Sequence, residues 1–139
     1  ATDIRVGEVG PRHGHQSICS IMPTAAKKAG IAAEAAAGGP EIAVGSFVPS
    51  KLLPQLADTA EIVAYARTLP GLAVAALVPN FKGAENAVRA GAHKITLPLS
   101  VSETHSKANL RKTHEQVYDE VRNIVALLNT LPADERPAI

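Results

Sequence analysis

The sequence is poor in aromatic and sulfur-containing residues and carries almost no net charge. It has no Trp, two Tyr, two Phe and one Cys, and 14 Lys and Arg residues against 13 Asp and Glu residues give a formal charge of +1. A single Cys excludes an intrachain disulfide and a thiolate metal cluster, which fits a reducing compartment. A charge this small lacks the basic footprint of a general nucleic-acid binder. No apolar run reaches the roughly 18 residues that a membrane-spanning helix needs. We therefore expect a cytoplasmic protein whose partners include neither nucleic acid nor membrane.

Apolar runs and turn signals alternate between strands and helices along the chain. The continuous apolar run 72–78 is typical of a parallel strand buried on both faces, and the Ala-rich segment 24–37 ends at Gly-Gly-Pro. The predicted strands span 4–9, 41–48, 72–78 and 94–99, and the predicted helices span 24–37, 52–66, 83–90 and 113–131. Four βα units in succession predict an α/β fold with a parallel sheet. Both an open doubly wound sheet and a (β/α)8 barrel use this unit, although no Gly-rich phosphate-binding motif supports the open form.

Polar residues follow each predicted strand, beginning with the turn-rich segment 10–16, which reads as a loop. The candidates are Arg12, His13, His15 and Gln16 after the first strand, Ser46 after the second, Asn80 and Lys82 after the third, and Ser102, Glu103 and His105 after the fourth. In a barrel these side chains would converge on the face where catalytic residues lie. Loops are polar in most proteins, so a purely structural role is the alternative.

Several of these polar residues have two interpretations. His13, His15 and His105 would together give three imidazoles suited to Zn²⁺. Glu103 and His105 would form an acid/base pair, but Ser102 and its neighbours equally fit the start of a helix. Away from the strand ends, Lys27 is expected to be a solvated helix charge and Cys19 a half-buried thiol.

Five blocks of the chain, in order and at fitting spacing, resemble the 3-hydroxy-3-methylglutaryl-CoA lyase family. Residues 8–16 read EVGPRHGHQ, which is similar to the family pattern E-V-[GSA]-P-R-D-G-L-Q. The other four blocks are residues 45–49, 54–58, 77–83 and 100–105. The resemblance implies that residues 1–139 form a single (β/α)4 half-barrel domain, the N-terminal half of a TIM barrel that needs about 250 residues when complete.

The same resemblance implies a lyase that cleaves a carbon–carbon bond of a 3-hydroxyacyl-CoA and releases acetyl-CoA and a keto product. A divalent metal, Mg²⁺ or Mn²⁺, with Zn²⁺ as the alternative, would polarise the substrate oxygens. Arg12 would act as the catalytic residue beside Gln16. Ser46, Asn80, Ser102, Glu103 and His105 would bind the acyl-CoA substrate.

The chain departs from the family pattern at three points. His13 stands where the family has a metal-binding Asp, and Ala43 stands where it has a second-strand Glu. The family also draws metal ligands from the second half of its barrel, which these residues do not include. A non-catalytic barrel descendant that binds a CoA thioester or a partner protein is therefore the alternative function.

Half a barrel would leave the inward face of its sheet uncovered. We expect Val6, one of Ile42 and Val44, one of Val74 and Ala76, and one of Ile95 and Leu97 to meet water there, beyond what monomers tolerate. Three arrangements would cover this face. The residues could be a fragment of a longer protein whose C-terminal half completes the barrel, the chain could pair with another copy as a homo-oligomer, or the sheet could flatten into an open flavodoxin-like form. The first is favoured, because a fifth strand fits after Pro137.

Overall fold

The computed structural model describes residues 4–139 as a parallel sheet of four strands flanked by helices. Residues 1–3 of the predicted domain lie outside the described residues. The strands are β1 (Gly7–Glu8), β2 (Glu41–Ser46), β3 (Ala73–Leu77) and β4 (Lys94–Thr96). The helices are α1 (Gly10–Gln16), α2 (Thr24–Ala36), α3 (Thr59–Ala66), α4 (Phe81–Ala90), α5 (Glu103–Leu110) and α6 (His114–Asn129), with a 3-10 helix at Pro54–Leu56.

The spatial order of the strands is their order in the sequence, and every neighbouring pair is parallel. A doubly wound sheet reverses its order at a switch point, whereas sequential parallel strands form the wall of a barrel. The predicted α/β fold of four βα units is confirmed, and the open flavodoxin-like sheet is excluded. Ala138 forms an isolated parallel bridge with Lys94, at the place where a fifth strand was expected.

The segment after β1 is a helix, so the prediction of a loop over 10–16 is wrong. Pro11 stands in the first turn of α1, where its missing N–H is not needed. The His13 N–H then donates to the Val9 carbonyl at 2.8 Å. β1 is shorter than the predicted strand, because only Gly7 and Glu8 pair with β2.

Two other segments differ from the predicted pattern. The helix predicted over 52–66 is divided into the 3-10 helix and α3, because Pro54 disfavours a helical backbone at Leu53. α5 was predicted only as one of two interpretations of Ser102, the start of a helix. Its one fully buried residue is the polar Ser106, so no apolar periodicity marks it.

The hydrophobic core lies between one face of the sheet and the helices. The sheet residues in this core are Ile42, Val44, Val74, Ala76 and Ile95, and the helices contribute Ile31, Ile62, Val63, Ala66, Ala84, Ala87, Ile124 and Leu128. The expectation that either member of the pairs Ile42/Val44 and Val74/Ala76 meets water is therefore wrong, because the helices cover them. Of the residues expected to face solvent, Val6 is 73% exposed.

Apart from Leu77 at the end of β3, the opposite sheet face carries mostly small side chains and an ion pair. Side chains alternate along a strand, so Glu41, Ala43 and Ala75 point away from the core. The Lys94 ammonium lies 2.8 Å from the Glu41 carboxylate across β3. This face therefore combines charge with a low apolar volume.

Candidate active site

Arg12 and Gln16 lie on α1, directly after β1. Gln16 is exposed and Arg12 is half-buried. Within residues 4–139 the Arg12 guanidinium forms no ion pair and no hydrogen bond. The five donors of this group are therefore available to an anionic oxygen.

The helical conformation of α1 separates the two neighbouring imidazoles. Residues two apart on a helix do not face each other, so His13 is exposed while His15 is half-buried against α2. Burial, followed by the positive charge of Lys27, lowers the pKa of His15. The three-imidazole cluster with His105 is therefore not formed within residues 4–139.

Ser46 ends β2 and is 1% exposed. Its N–H donates to the Thr59 hydroxyl at 3.3 Å, and its carbonyl lies 3.0 Å from the same hydroxyl. Gly45 permits this contact, because a Cβ there would come within 2.6 Å of Thr59 Oγ1. Within the described residues the Ser46 Oγ is buried and has no hydrogen-bond partner.

Asn80 follows β3 and caps α4. Its Oδ1 accepts the Gly83 N–H at 2.9 Å, which is the usual arrangement at a helix N-terminus. Asn80 and Ser46 line one cavity of about 560 Å³, together with Lys82. These are the two predicted substrate-binding residues that the structure brings to one cavity.

The three candidates after β4 belong to α5. The Ser102 Oγ caps the helix by accepting the His105 N–H at 3.3 Å, and Glu103 pairs with Lys107 at 3.2 Å. The His105 ring is exposed. Since Glu103 and His105 are two residues apart on a helix, their side chains diverge. The helix-start interpretation of Ser102 is therefore the one the structure shows.

The described residues do not fit a divalent metal. No group of three or more His, Cys, Asp and Glu side chains within 4–139 could hold an ion. His13 is exposed, and Mg²⁺ prefers carboxylate oxygen to imidazole. Ala43, on the sheet face away from the core, offers no ligand. The metal implied by the sequence resemblance therefore has no site within these residues.

Two charged contacts near the strand ends were not predicted. Lys27 is 4% exposed, donates to the Gln55 carbonyl at 2.5 Å and pairs with Asp58 at 2.6 Å, so its interpretation as a solvated charge is wrong. Glu120 accepts the Phe81 N–H at the start of α4 and pairs with Lys112 at 2.8 Å. A sequence signal was present for Lys27, which stands on the same helical face as Ile31. Cys19 is exposed, contrary to the expected half-buried thiol.

Comparison with known proteins identifies hydroxymethylglutaryl-CoA lyases among the relatives of this chain. A model of the HMGL-like family matches residues 3–136. The mitochondrial hydroxymethylglutaryl-CoA lyase of Arabidopsis thaliana is 38% identical over 113 residues, which cover 81% of this chain and 24% of that protein. The 3-hydroxy-3-isohexenylglutaryl-CoA/hydroxymethylglutaryl-CoA lyase of Pseudomonas aeruginosa is 40% identical over 107 residues, covering 77% of this chain and 36% of that protein. Relatives named as cytoplasmic lyases match as well.

Solved structures of the same kind share the fold. An HMG-CoA lyase from A. baumannii, in complex with coenzyme A and 3-methylmalate, has a TM-score of 0.84 at 37% identity, covering 89% of this chain and 41% of that one. The HMG-CoA lyase from Brucella melitensis has a TM-score of 0.85 at 35% identity, covering 94% and 46%. The chain spans only a part, 24% to 41%, of the curated relatives it matches. The prediction of a half-barrel of this fold is confirmed.

Proposed function

Since the chain belongs to the HMGL-like family, we propose that it forms part of a carbon–carbon lyase of the hydroxymethylglutaryl-CoA lyase type. The reaction would cleave a 3-hydroxyacyl-CoA into acetyl-CoA and a keto product. The observation that carries the proposal is the family match over residues 3–136. The arrangement of Arg12, Ser46, Asn80 and Ser102 after four successive parallel strands supports it, because the carboxyl ends of such strands share one edge.

Arg12 is the residue that we assign to the developing negative charge. Cleavage of the bond leaves an enolate, whose oxygen carries more charge in the transition state than in the substrate. A fixed guanidinium beside that oxygen stabilises the transition state selectively. Gln16, one turn further along α1, would orient the same end of the substrate.

Ser46 and Asn80 would bind the acyl-CoA, with Ser102, Glu103 and His105 completing the rim from α5. A homologous enzyme holds coenzyme A and 3-methylmalate, which supports a thioester ligand here. A requirement for Mg²⁺ or Mn²⁺, a cytoplasmic location and a homo-oligomeric state remain predictions. The described residues hold no fitting metal site, so no step of this proposal is assigned to a metal.

The proposal is tested by Arg12→Gln in the purified protein, with acetyl-CoA formation as the readout. Loss of one preorganised donor at an oxyanion costs about 10²–10³ in kcat, and we expect a loss of that size with a much smaller change in KM. Arg5→Gln is the matched control, because Arg5 lies before β1, at the opposite end of the strand from Arg12. Equal effects of both variants would contradict the assignment of Arg12.

The alternative is a non-catalytic barrel that binds a CoA thioester or a partner protein. The exposed His13 and the apolar Ala43, at positions where the family has carboxylates, favour it. Saturable binding of a CoA thioester without acetyl-CoA formation, in the presence of Mg²⁺ or Mn²⁺, would establish this alternative and rule out the lyase.

A further inference from the structure

β2 contains a β-bulge close to its carboxyl end. Ala43 of β2 pairs with Ala75 of β3. Gly45 pairs with the next residue, Ala76, so Val44 is an extra residue in β2. A bulge interrupts the alternation of side chains along a strand and redirects the residues that follow it. The strand therefore changes its facing pattern just before its last residue.

The bulge turns two consecutive residues toward the helices. Val44 lies in the hydrophobic core, and a Cβ at Gly45 would come within 2.6 Å of the Thr59 Oγ1 at the start of α3. Ser46 comes next and therefore faces the opposite way, toward the sheet face that carries Glu41, which we call the open face. In a strand without the bulge, Ser46 would lie on the same face as Val44.

Thr59 holds this redirected end of β2 through both backbone groups of Ser46. The Ser46 N–H donates to the Thr59 Oγ1 at 3.3 Å, and the Ser46 carbonyl lies 3.0 Å from the same hydroxyl. The hydroxyl also lies 2.7 Å from the Leu56 carbonyl, and Thr59 is 3% exposed. Gly45 lets Thr59 come this close because it has no side chain. The contact therefore fixes the direction in which the Ser46 side chain leaves the strand.

The Ser46 hydroxyl is a buried group that needs a partner. Ser46 is 1% exposed, and within the described residues its Oγ has no hydrogen-bond partner. A buried hydroxyl without a partner costs free energy, which an oxygen of a ligand would recover. Ser46 is also the last residue of β2, and the carboxyl ends of barrel strands carry the active site.

We propose that Thr59 is a positioning residue that holds the Ser46 hydroxyl on the open face, where it donates to an acyl oxygen of a CoA thioester. Thr59 acts only through the backbone of Ser46 and contacts no ligand itself. The inference rests on the proposed function for the identity of the ligand, whereas the bulge and the Thr59 contact belong to the fold.

A double-mutant cycle tests whether Thr59 acts through Ser46. The dissociation constant of 3-hydroxy-3-methylglutaryl-CoA is measured by calorimetry on the full chain, with EDTA present to prevent metal-dependent turnover. Ser46→Ala and Thr59→Val should each weaken binding about three- to tenfold, because each variant loses one hydrogen bond to the ligand. The double variant should bind no more weakly than Ser46→Ala alone. Losses that multiply in the double variant, or an unchanged affinity in either single variant, would overturn the proposal.

Matched variants separate positioning from a general loss of stability. Thr59→Ser keeps the hydroxyl and should restore the affinity. Thr68→Val is the control, because the Thr68 hydroxyl also donates to the carbonyl three residues earlier, that of Tyr65 at 2.7 Å, but within residues 4–139 it makes no hydrogen bond to β2. Equal weakening by Thr59→Val and Thr68→Val would overturn the proposal. If Thr59→Val does not fold, Gly45→Ala gives the same test, since its Cβ would displace the Thr59 hydroxyl.

Three further readouts keep this inference apart from the lyase proposal. Coenzyme A lacks the acyl group, so it should bind to all variants equally, and weaker binding to Thr59→Val would overturn the proposal. Amide hydrogen exchange at Ser46 should be faster in Thr59→Val and normal in Thr59→Ser, and unchanged exchange in Thr59→Val would overturn it as well. Thioester binding without acetyl-CoA formation in the presence of Mg²⁺ or Mn²⁺ would count against the lyase alone. No binding of the thioester to the unchanged chain would overturn the role of Ser46.

Discussion

At the residue scale, the Lys27–Asp58 pair shows how a charge is kept inside this fold. Burial alone would raise the pKa of Asp58, but hydrogen bonds from Lys27 and Thr24 outweigh it and hold that pKa below its usual value of 3.8. The pair joins α2 to the start of α3, with Thr24 donating to the second carboxylate oxygen at 2.7 Å. Because the Lys27 ammonium is shielded from water, its charge is stabilised by the Asp58 carboxylate and the Gln55 carbonyl.

Asp58→Asn tests that dependence. Removing one partner of a buried pair leaves an uncompensated charge, which costs about 3–5 kcal/mol, and we expect a loss toward that range in the free energy of unfolding measured with urea. The control is Glu61→Gln, which removes the partner of the more exposed Lys28 and should cost about 0–1 kcal/mol. Comparable losses would show that Lys27 is not buried as a charge.

The ends and the interior of a helix make opposite demands on glycine. Gly91 follows α4 with φ +82°, and a Cβ there would overlap the Arg67 guanidinium. Gly30 stands inside α2 with open space around it. Gly91 therefore serves the backbone turn, while Gly30 only weakens its helix.

The pair Gly91→Ala and Gly30→Ala gives an element-scale prediction with opposite signs. Gly91→Ala should lower the free energy of unfolding by more than about 1 kcal/mol, because the left-handed native φ is strained for a residue that carries a Cβ. Gly30→Ala should raise it by about 0.8–1 kcal/mol, the difference in helix propensity. Urea unfolding of both variants measures the signs, and a stabilising Gly91→Ala would contradict the left-handed cap.

Glu120 joins two elements, because it accepts the first N–H of α4 from its place on α6. Burial alone would raise the pKa of Glu120, but hydrogen bonds from Lys112 and Phe81 lower it below 4.5. A carboxyl whose pKa is lowered by folding stabilises the protein at pH values above 4.5, its usual pKa. This stabilisation is lost as the pH falls through the pKa of the folded state. Glu120→Gln should therefore cost about 1–2 kcal/mol at neutral pH and reduce the acid dependence, whereas Asp119→Asn on the exposed side of α6 should do neither.

On the scale of the whole molecule, the sequence predicted the parts that rest on apolar periodicity and on motif order. Four βα units follow from runs such as 72–78 and from turn signals such as Gly38-Gly39-Pro40. The helix α1 could not be predicted in this way, because Pro-Arg-His-Gly-His has the composition of a turn. The one residue there that favours a helix start is Pro11, which stands in the first turn of α1. The sequence also could not tell which sheet face Ile42 and Val74 occupy. The open face is marked by the ion pair between Glu41 and Lys94, and these two residues come together only when β2 and β4 are placed on either side of β3.

The site was predictable only as a set of positions. The chain order of Ser46 and Asn80 after adjacent strands placed both at one edge, and the structure brings them to one cavity. The lack of a hydrogen-bond partner at the Ser46 Oγ depends on how Thr59 holds the Ser46 backbone. The direction of the His15 side chain depends on the helical conformation of α1. These contacts arise from tertiary packing, so no spacing rule contains them.

At the scale of the whole chain, we expect the response to mild acid to depend on two imidazoles whose pKa values are lowered in the folded protein. His93 Nδ1 accepts the Val74 N–H at 3.0 Å, which a protonated Nδ1 cannot do, and burial, followed by the charge of Arg67, lowers the pKa of His93. The pKa of His15 is lowered as well. Because both groups bind protons less readily when folded than when unfolded, stability is fully present above 6.5 and falls as the pH drops below that value. Glu34, whose pKa is raised by burial and by Glu8, acts in the opposite direction at lower pH.

Urea unfolding between pH 5 and 8 measures this dependence, and His93→Gln should make it shallower below pH 6.5. The variant also loses the acceptor for the Val74 N–H at the start of β3, so its stability at pH 8 should fall by about 1 kcal/mol. His105→Gln is the control for replacing an imidazole, because within residues 4–139 the His105 ring accepts no backbone N–H, whereas the His93 ring does. A slope that survives His93→Gln would place the acid response elsewhere in the chain and remove the link between the Val74 hydrogen bond and the neutral imidazole.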